Sequence, residues 1–161
     1  MINGVIAQYA ARGNPGQYQL VEADGMFYIL PSKIRNEARG LVDVVSIIDT
    51  PISFPERARS LQDTLSVIYE AVTASSGRRL GSGDPFVIRY IRETQVSVGA
   101  TDEPARSVLR RALAVPGGPT FSWRLRYEPE VKYFVLALSF VNREVANTDG
   151  SVRLEAVLNE D

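Results

Sequence analysis

The chain has 161 residues, with 18 Lys+Arg against 19 Asp+Glu and a net charge of −1, so the strongly basic surface that duplex nucleic acids require is not expected. Hydrophobic residues at 45% and charged residues at 23% are ordinary globular usage and exclude general disorder. Cysteine and histidine are both absent, which removes disulfides, thiol nucleophiles, zinc–thiolate and iron–sulfur sites, imidazole ligands and Ser-His-Asp chemistry together.

Ile2 to Ala11 is predicted as a short helix, with Ile2, Val5, Ile6 and Tyr9 on one face. Gly13-Asn14-Pro15-Gly16 stops it. Tyr18–Val21 and Met26–Leu30 then flank Ala23-Asp24-Gly25, the signature of a β-hairpin, which Pro31 is expected to end. Ser32 to Gly40 is polar and reads as a connector. The β-branched run Val44–Ile48 predicts a strand, broken by Asp49-Thr50-Pro51 and resumed by Ile52-Ser53-Phe54.

Ser60 to Ser75 carries the clearest helical stripe: Leu61, Leu65, Ile68 and Val72, with Tyr69 beside them. Ser60 is placed as its N-cap, Asp63 lies in its first turn, and Gly77 closes it. Arg78 to Asp84 reads as a glycine-rich loop, and Phe86–Ile91 as either a strand or a short helix. Gln95–Val98 alternates as a strand. Asp102 is expected to cap a second helix with Pro104 in its first turn and Ala105, Val108, Leu109, Ala112 and Leu113 on its core face. Pro116–Pro119 ends that helix.

Phe121, Trp123, Leu125 and Tyr127 alternate with Ser122, Arg124 and Arg126, the period of a half-buried strand. After the turn Glu128-Pro129-Glu130, the nearly all-apolar run Tyr133–Val141 predicts a mid-sheet strand. One edge strand within Ser151–Leu158 is expected last. No stretch approaches the roughly 20 apolar residues that span a bilayer. Met1–Ala7 lacks the basic start and long apolar core of a signal peptide, so the chain is expected to be cytosolic or a piece of a longer precursor.

The order helix, Pro/Gly turn, aromatic hairpin occurs twice. One copy runs from Val5–Ala10 to Phe27–Leu30, the other from Val108–Leu113 to Tyr133–Leu136. Between them, residues 52–141 spell strand, helix, extended segment, strand, helix, hairpin. Ile52-Ser53-Phe54, Leu61…Leu65…Ile68, Ser76-Gly77, Thr94–Val98, Pro104-Ala105…Val108-Leu109…Ala112-Leu113 and Phe121–Leu125 carry that pattern. Over about 90 residues it resembles the short N-terminal domain shared by secretins and TonB-dependent transducers. Departures are the long loop Arg78–Arg92 and the added residues 1–50. The resemblance implies an exported, non-catalytic module of periplasm or cell envelope that contacts an unidentified protein partner; no cofactor or metal is expected. The fold expected is α+β: a β-α-β-β-α-β-β sandwich at residues 41–161, with a helix–hairpin half-motif at residues 1–40.

Several motifs have plain structural readings. Gly13-Asn14-Pro15-Gly16 has the Gly-x-x-Gly form of a nucleic-acid clamp, but Pro15 removes a donor and a strand follows, so it is read as a helix stop. Gly77-Arg78-Arg79-Leu80-Gly81-Ser82-Gly83 lacks the Gly-Lys-Ser/Thr of a phosphate loop and reads as a linker, with Arg78 and Arg79 as an anion-contacting alternative. Arg106, Arg110 and Arg111 on the second helix and Arg124 and Arg126 on the next strand read as a solvated face. The functional alternative is a basic patch for an acidic partner or polar headgroups. The carboxylates Asp102, Glu103, Glu128 and Glu130 sit at element ends, where acids are common. Aromatics on strands are expected in the core, with Tyr28 or Tyr133 as outward-facing candidates.

The functional expectation is therefore a non-enzymatic interaction module offering sheet edges and an arginine face, here Arg78, Arg79, Arg106, Arg110, Arg124 and Arg126. The alternative is a small-ligand or anion-binding carrier, which predicts a cavity of a few hundred Å³. A carboxylate-dependent enzyme ranks last and predicts converging carboxylates, one with a raised pKa.

Overall fold

The computed structural model describes residues 2–14, 16–23, 26–36, 40–83, 88–128, 130–149 and 151–160. The fold is mixed α+β, and the chain divides into two compact units, Met1–Ser46 and Ile47–Asp161.

Unit 1 opens with helix α1 (Ile2–Ala11), stopped by Gly13 at φ 70°. Strand β1 (Gln17–Ala23) pairs antiparallel with β2 (Met26–Arg35), and β2 in turn with β3 (Leu41–Asp43). The expected Asp24-Gly25 turn lies outside the described residues. Pro31 does not end the strand as expected: it pairs with Tyr18 beside a register slip and short of the β3 pairing, where a missing N–H costs little. The supposed connector Ser32–Gly40 consequently begins as strand.

A strand at Val44–Ile48 is not formed either. Ile47–Asp49 winds into a single 3₁₀ turn, and the adjacent Ile47 and Ile48 are both buried. Neighbours in a strand point to opposite faces, so a one-sided core could not bury both; the turn lets it.

Unit 2 is built on two strand–helix pairs. Strand β4 (Pro51–Ser60) leads directly into α2 (Leu61–Ser76), and β6 (Gln95–Pro104) into α4 (Ala105–Leu113). The two strands pair antiparallel over their length, with register slips around Ser53 and Pro55. They also cap each other's helices. Leu61 N–H, the first of α2, donates to Thr94 O at 2.8 Å, and Ala105 N–H, the first of α4, donates to Thr50 O at 3.0 Å.

Ser60 caps α2 as expected, accepting the Asp63 N–H, and Gly77 closes it in the left-handed region at φ 67°. Asp102 is not the cap of α4. It stays in β6 at φ 52°, its N–H donating to Ser53 Oγ at 2.9 Å, and Pro104 occupies the N-cap position without a side-chain bond. The backbone of Thr50 has taken the role that a side chain was expected to fill.

The segment read as a glycine-rich loop is instead strand β5 (Arg79–Gly83), parallel to β8 (Tyr133–Phe140). Within the ambiguous Phe86–Ile91 stretch, helix α3 (Ile88–Glu93) forms; Phe86 and Val87 lie outside the described residues. Strand β7 (Phe121–Glu128) pairs antiparallel with β8, giving the order β5-β8-β7 and the mid-sheet position predicted for β8. Pro129 of the intervening turn is outside the described residues. In place of one late edge strand the chain forms a hairpin of β9 (Asn142–Ala146) and β10 (Val152–Ala156).

The core of unit 2 joins Leu61, Leu65, Ile68 and Val72 of α2 with all five predicted residues of α4. One face of the β5-β8-β7 sheet supplies Leu80, Phe121, Leu136 and Leu138. Tyr90 closes one end against Phe121 and Phe140, with ring centroids 5.7 and 6.0 Å away.

Candidate functional site

The β5-β8-β7 sheet has two unlike faces because its side chains alternate. Phe121, Trp123 and Leu125 of β7 point with Leu136 and Leu138 of β8 into the core. The intervening residues form the outer face, where the register sets them in rows: Arg79, Tyr133 and Glu128; then Gly81, Val135 and Arg126; then Gly83, Ala137 and Arg124. Arg79, Arg124 and Arg126 are exposed, as are Ser122 and Ser139 farther along.

The two glycines shape this surface. A Cβ on Gly81 would collide with the Tyr133 hydroxyl, and one on Gly83 with Val135 Cγ1. Their absence lets the β8 side chains lean over β5, leaving a low floor of Val135, Ala137 and glycine between the arginines. Arg79 lies over the Tyr133 ring at 5.1 Å and Arg78 over Phe134 at 5.4 Å. Arg126 Nε is 2.6 Å from Glu128 Oε1.

The arginine set proposed from sequence does not form one patch. Arg106 and Arg110 belong to α4, whose apolar side meets the core on the opposite side of the sheet from Arg124 and Arg126. Arg106 Nε lies 3.2 Å from Asp49 Oδ1, with the two side chains only 25% and 23% exposed. Burial raises the Asp49 pKa, and the Arg106 charge pulls it only partly back. Arg111 is paired with Glu103 and also donates to Gly99 O at 2.6 Å. Arg106 and Arg111 thus fasten unit 2 together, while Arg79, Arg124 and Arg126 face outward.

Helix α2 and strand β5 border a second feature. Ser66, Tyr69, Glu70, Thr73 and Ala74 share one stripe of α2, and with Leu80 they line a groove of about 420 Å³. Thr73 Oγ1 accepts the Leu80 N–H at 3.1 Å, tying helix to strand. Tyr69 is 8% exposed and its hydroxyl is buried without a hydrogen-bond partner. Burial raises its pKa, with a smaller contribution from Tyr133. Sequence reading placed Tyr69 beside the apolar stripe; the polar neighbours Ser66, Glu70 and Thr73 on its far side were the available signal.

The carboxylates do not converge. Glu128 pairs with Arg126, and Glu103 is held below its ordinary pKa by the hydrogen bond from Arg111. Among the described residues no cluster of three or more acidic side chains could hold a metal ion. Of the aromatic candidates, Tyr28 points inward at 4% exposure and its neighbour Phe27 points outward at 62%, the reverse of the expectation, while Tyr133 lies half-buried on the outer sheet face. No helix of the described residues is long and apolar enough to cross a membrane. Neither protein-family models, nor curated proteins, nor solved structures yield a match to this chain.

Proposed function

We propose that this chain is a non-enzymatic interaction module, similar to the short N-terminal domain of secretins and TonB-dependent transducers, that serves in the cell envelope by binding an acidic protein segment. The element order from β4 to β8 is compatible with that resemblance. The observation that carries the reading is the outer face of the β5-β8-β7 sheet, where three exposed arginines border a low floor and a single glutamate offers local compensation. An extended acidic segment lying across the strands would meet Arg79, Arg126 and Arg124 in turn, and the steering would weaken with salt.

The test is site-specific photo-crosslinking in the source cells from a probe at Ala137, in the middle of that floor. A salt-sensitive adduct lost in the Arg124→Glu/Arg126→Glu double variant supports the reading. An adduct indifferent to that reversal overturns it, and a soluble cytosolic location of the native protein overturns its envelope role.

One observation favours a second reading, small-ligand binding: the open α2–β5 groove has a volume in the range such a carrier needs.

A further inference from the structure

The hairpin of β9 and β10 leaves a strand edge open. Asn147 N–H donates to Ser151 O and Val157 N–H to Val141 O, each at 2.8 Å, and the register between these bonds runs without a slip. Residues of an antiparallel strand alternate in the side to which they point their backbone groups, so Ser151, Arg153, Glu155 and Val157 face β9. Val152, Leu154 and Ala156 therefore direct their N–H and C=O groups away from it, and these groups meet no backbone partner among the described residues. Their side chains are open too, Val152 at 60% and Leu154 at 68% exposure. Natural edges are commonly protected by Pro, Lys or a bulge, and Val152–Ala156 has none of these.

The charges of the strand select its occupant. An antiparallel copy of β10, related by a two-fold axis at Leu154, sets Leu154 opposite Leu154, Val152 opposite Ala156 and Arg153 opposite Glu155. Each outward N–H of Val152, Leu154 and Ala156 then meets an outward carbonyl of the other copy. Arg153 and Glu155 fall at the positions between these bonds, where opposed Cα atoms approach to about 4.5 Å and side chains meet most closely. They share one face of β10, Arg153 Nη2 lying 2.5 Å from Glu155 Oε1, so both reach the matching face of the copy. Opposite charges across strands stabilise the pairing, and like charges oppose it. An axis at Arg153 or Glu155 would set like charges together, as would the corresponding pairing of β9 about Glu144. We infer that β10 pairs edge to edge with β10 of a second copy of this chain, joining two hairpins into one antiparallel sheet. This interface lies apart from the β5-β8-β7 face and goes beyond the acidic-partner reading.

The test is sedimentation equilibrium of the full chain at concentrations up to about 1 mM, since so short an edge makes a small interface. A monomer–dimer equilibrium is expected. The axis repeats every contact, so Arg153→Glu or Glu155→Arg alone turns two attractive pairs repulsive and should raise the dissociation constant about tenfold. An equimolar mixture of those two variants should recover association, because each charge then faces its opposite. Leu154→Pro removes the central outward N–H, which no bond within the chain uses, and should abolish the dimer while far-ultraviolet circular dichroism stays unchanged. A chain that stays monomeric throughout overturns the inference. So does a dimer indifferent to Leu154→Pro or to the charge reversals, and so do reversed variants that remain apart when mixed.

Discussion

Each unit of the molecule contains a helix followed by a glycine-bearing turn and an antiparallel hairpin, yet the two helices meet different fates. In unit 2, α4 buries Ala105, Val108, Leu109, Ala112 and Leu113. In unit 1, α1 buries no residue at all, and Val5 stands 63% exposed. Both stripes have apolar residues at helical spacing. What differs is the surroundings: α4 meets α2 and a sheet face that close a second layer over it, whereas unit 1 offers one helix and one three-stranded sheet. An amphipathic stripe licenses burial, and a second layer of the same unit is what completes it.

That contrast can be broken most forcefully by truncating the stripes. Leu109→Ala should cost about 3 kcal/mol of stability, by lost transfer and a residual cavity. Val5→Ala should stay within about 0.5 kcal/mol, as an exposed position does. Urea unfolding followed by the single tryptophan, Trp123 of unit 2, reads the first, and far-ultraviolet circular dichroism reads the second. Equal losses would sink the distinction between a layered and a single-sheet unit.

Helix starts sharpen the comparison at a smaller scale. Ser60→Ala removes the side-chain bond to Asp63 N–H and should cost about 1 kcal/mol. Asp102→Gly should be neutral or slightly stabilising, since Asp102 holds a left-handed backbone and caps nothing. A loss at Asp102 matching that at Ser60 would restore Asp102 as a cap and remove Thr50 O from that role.

The smallest effect is the pH response at the entrance to unit 2. The Asp49 carboxyl has a folded-state pKa above its unfolded value, so the folded form binds that proton more readily. Its contribution to stability is present at low pH and is lost as pH rises through the raised pKa. Glu103 runs the other way: its pKa is lowered by Arg111, so its contribution is lost as pH falls through the lowered value. Carboxyl-carbon NMR titration should place the Asp49 midpoint above the ordinary aspartate range and that of Glu103 below the ordinary glutamate range. An Asp49 midpoint below the ordinary range would mean that the Arg106 charge outweighs burial.

Much of the element pattern was legible beforehand because the signals were local. The α2 stripe, its Ser60 cap and Gly77 stop, the α4 core face and the alternation of β7 each depend on residues within a few positions of one another. The structure departs from the local pattern where distant backbone decides. Arg79–Gly83 looks like a linker, since two glycines and a serine carry little strand propensity. It becomes β5 because β8 supplies a parallel ladder and Tyr133 and Val135 need the space a side chain would fill. Pro31 and Asp102 depart from their local signals for the same reason: β1 and Ser53 hold them from afar.

The candidate surfaces divide along the same line. That Arg124 and Arg126 alternate away from the core followed from period-two spacing alone. Their company on the outer face, Arg79 rather than Arg106 and Arg110, depended on the order β5-β8-β7, which pairs residues more than 40 positions apart. The burial of the Tyr69 hydroxyl was still less legible, because desolvation is a property of everything packed around an atom. By itself the sequence determined which segments could be helix or strand, the apolar stripes, and the absence of thiol and imidazole chemistry, all consequences of composition and short-range geometry. The tertiary structure alone decided which strands neighbour one another, which arginines are tied down by Asp49 and Glu103, and which polar group is buried unpaired. Long-range pairing and desolvation depend on contacts that no local window contains.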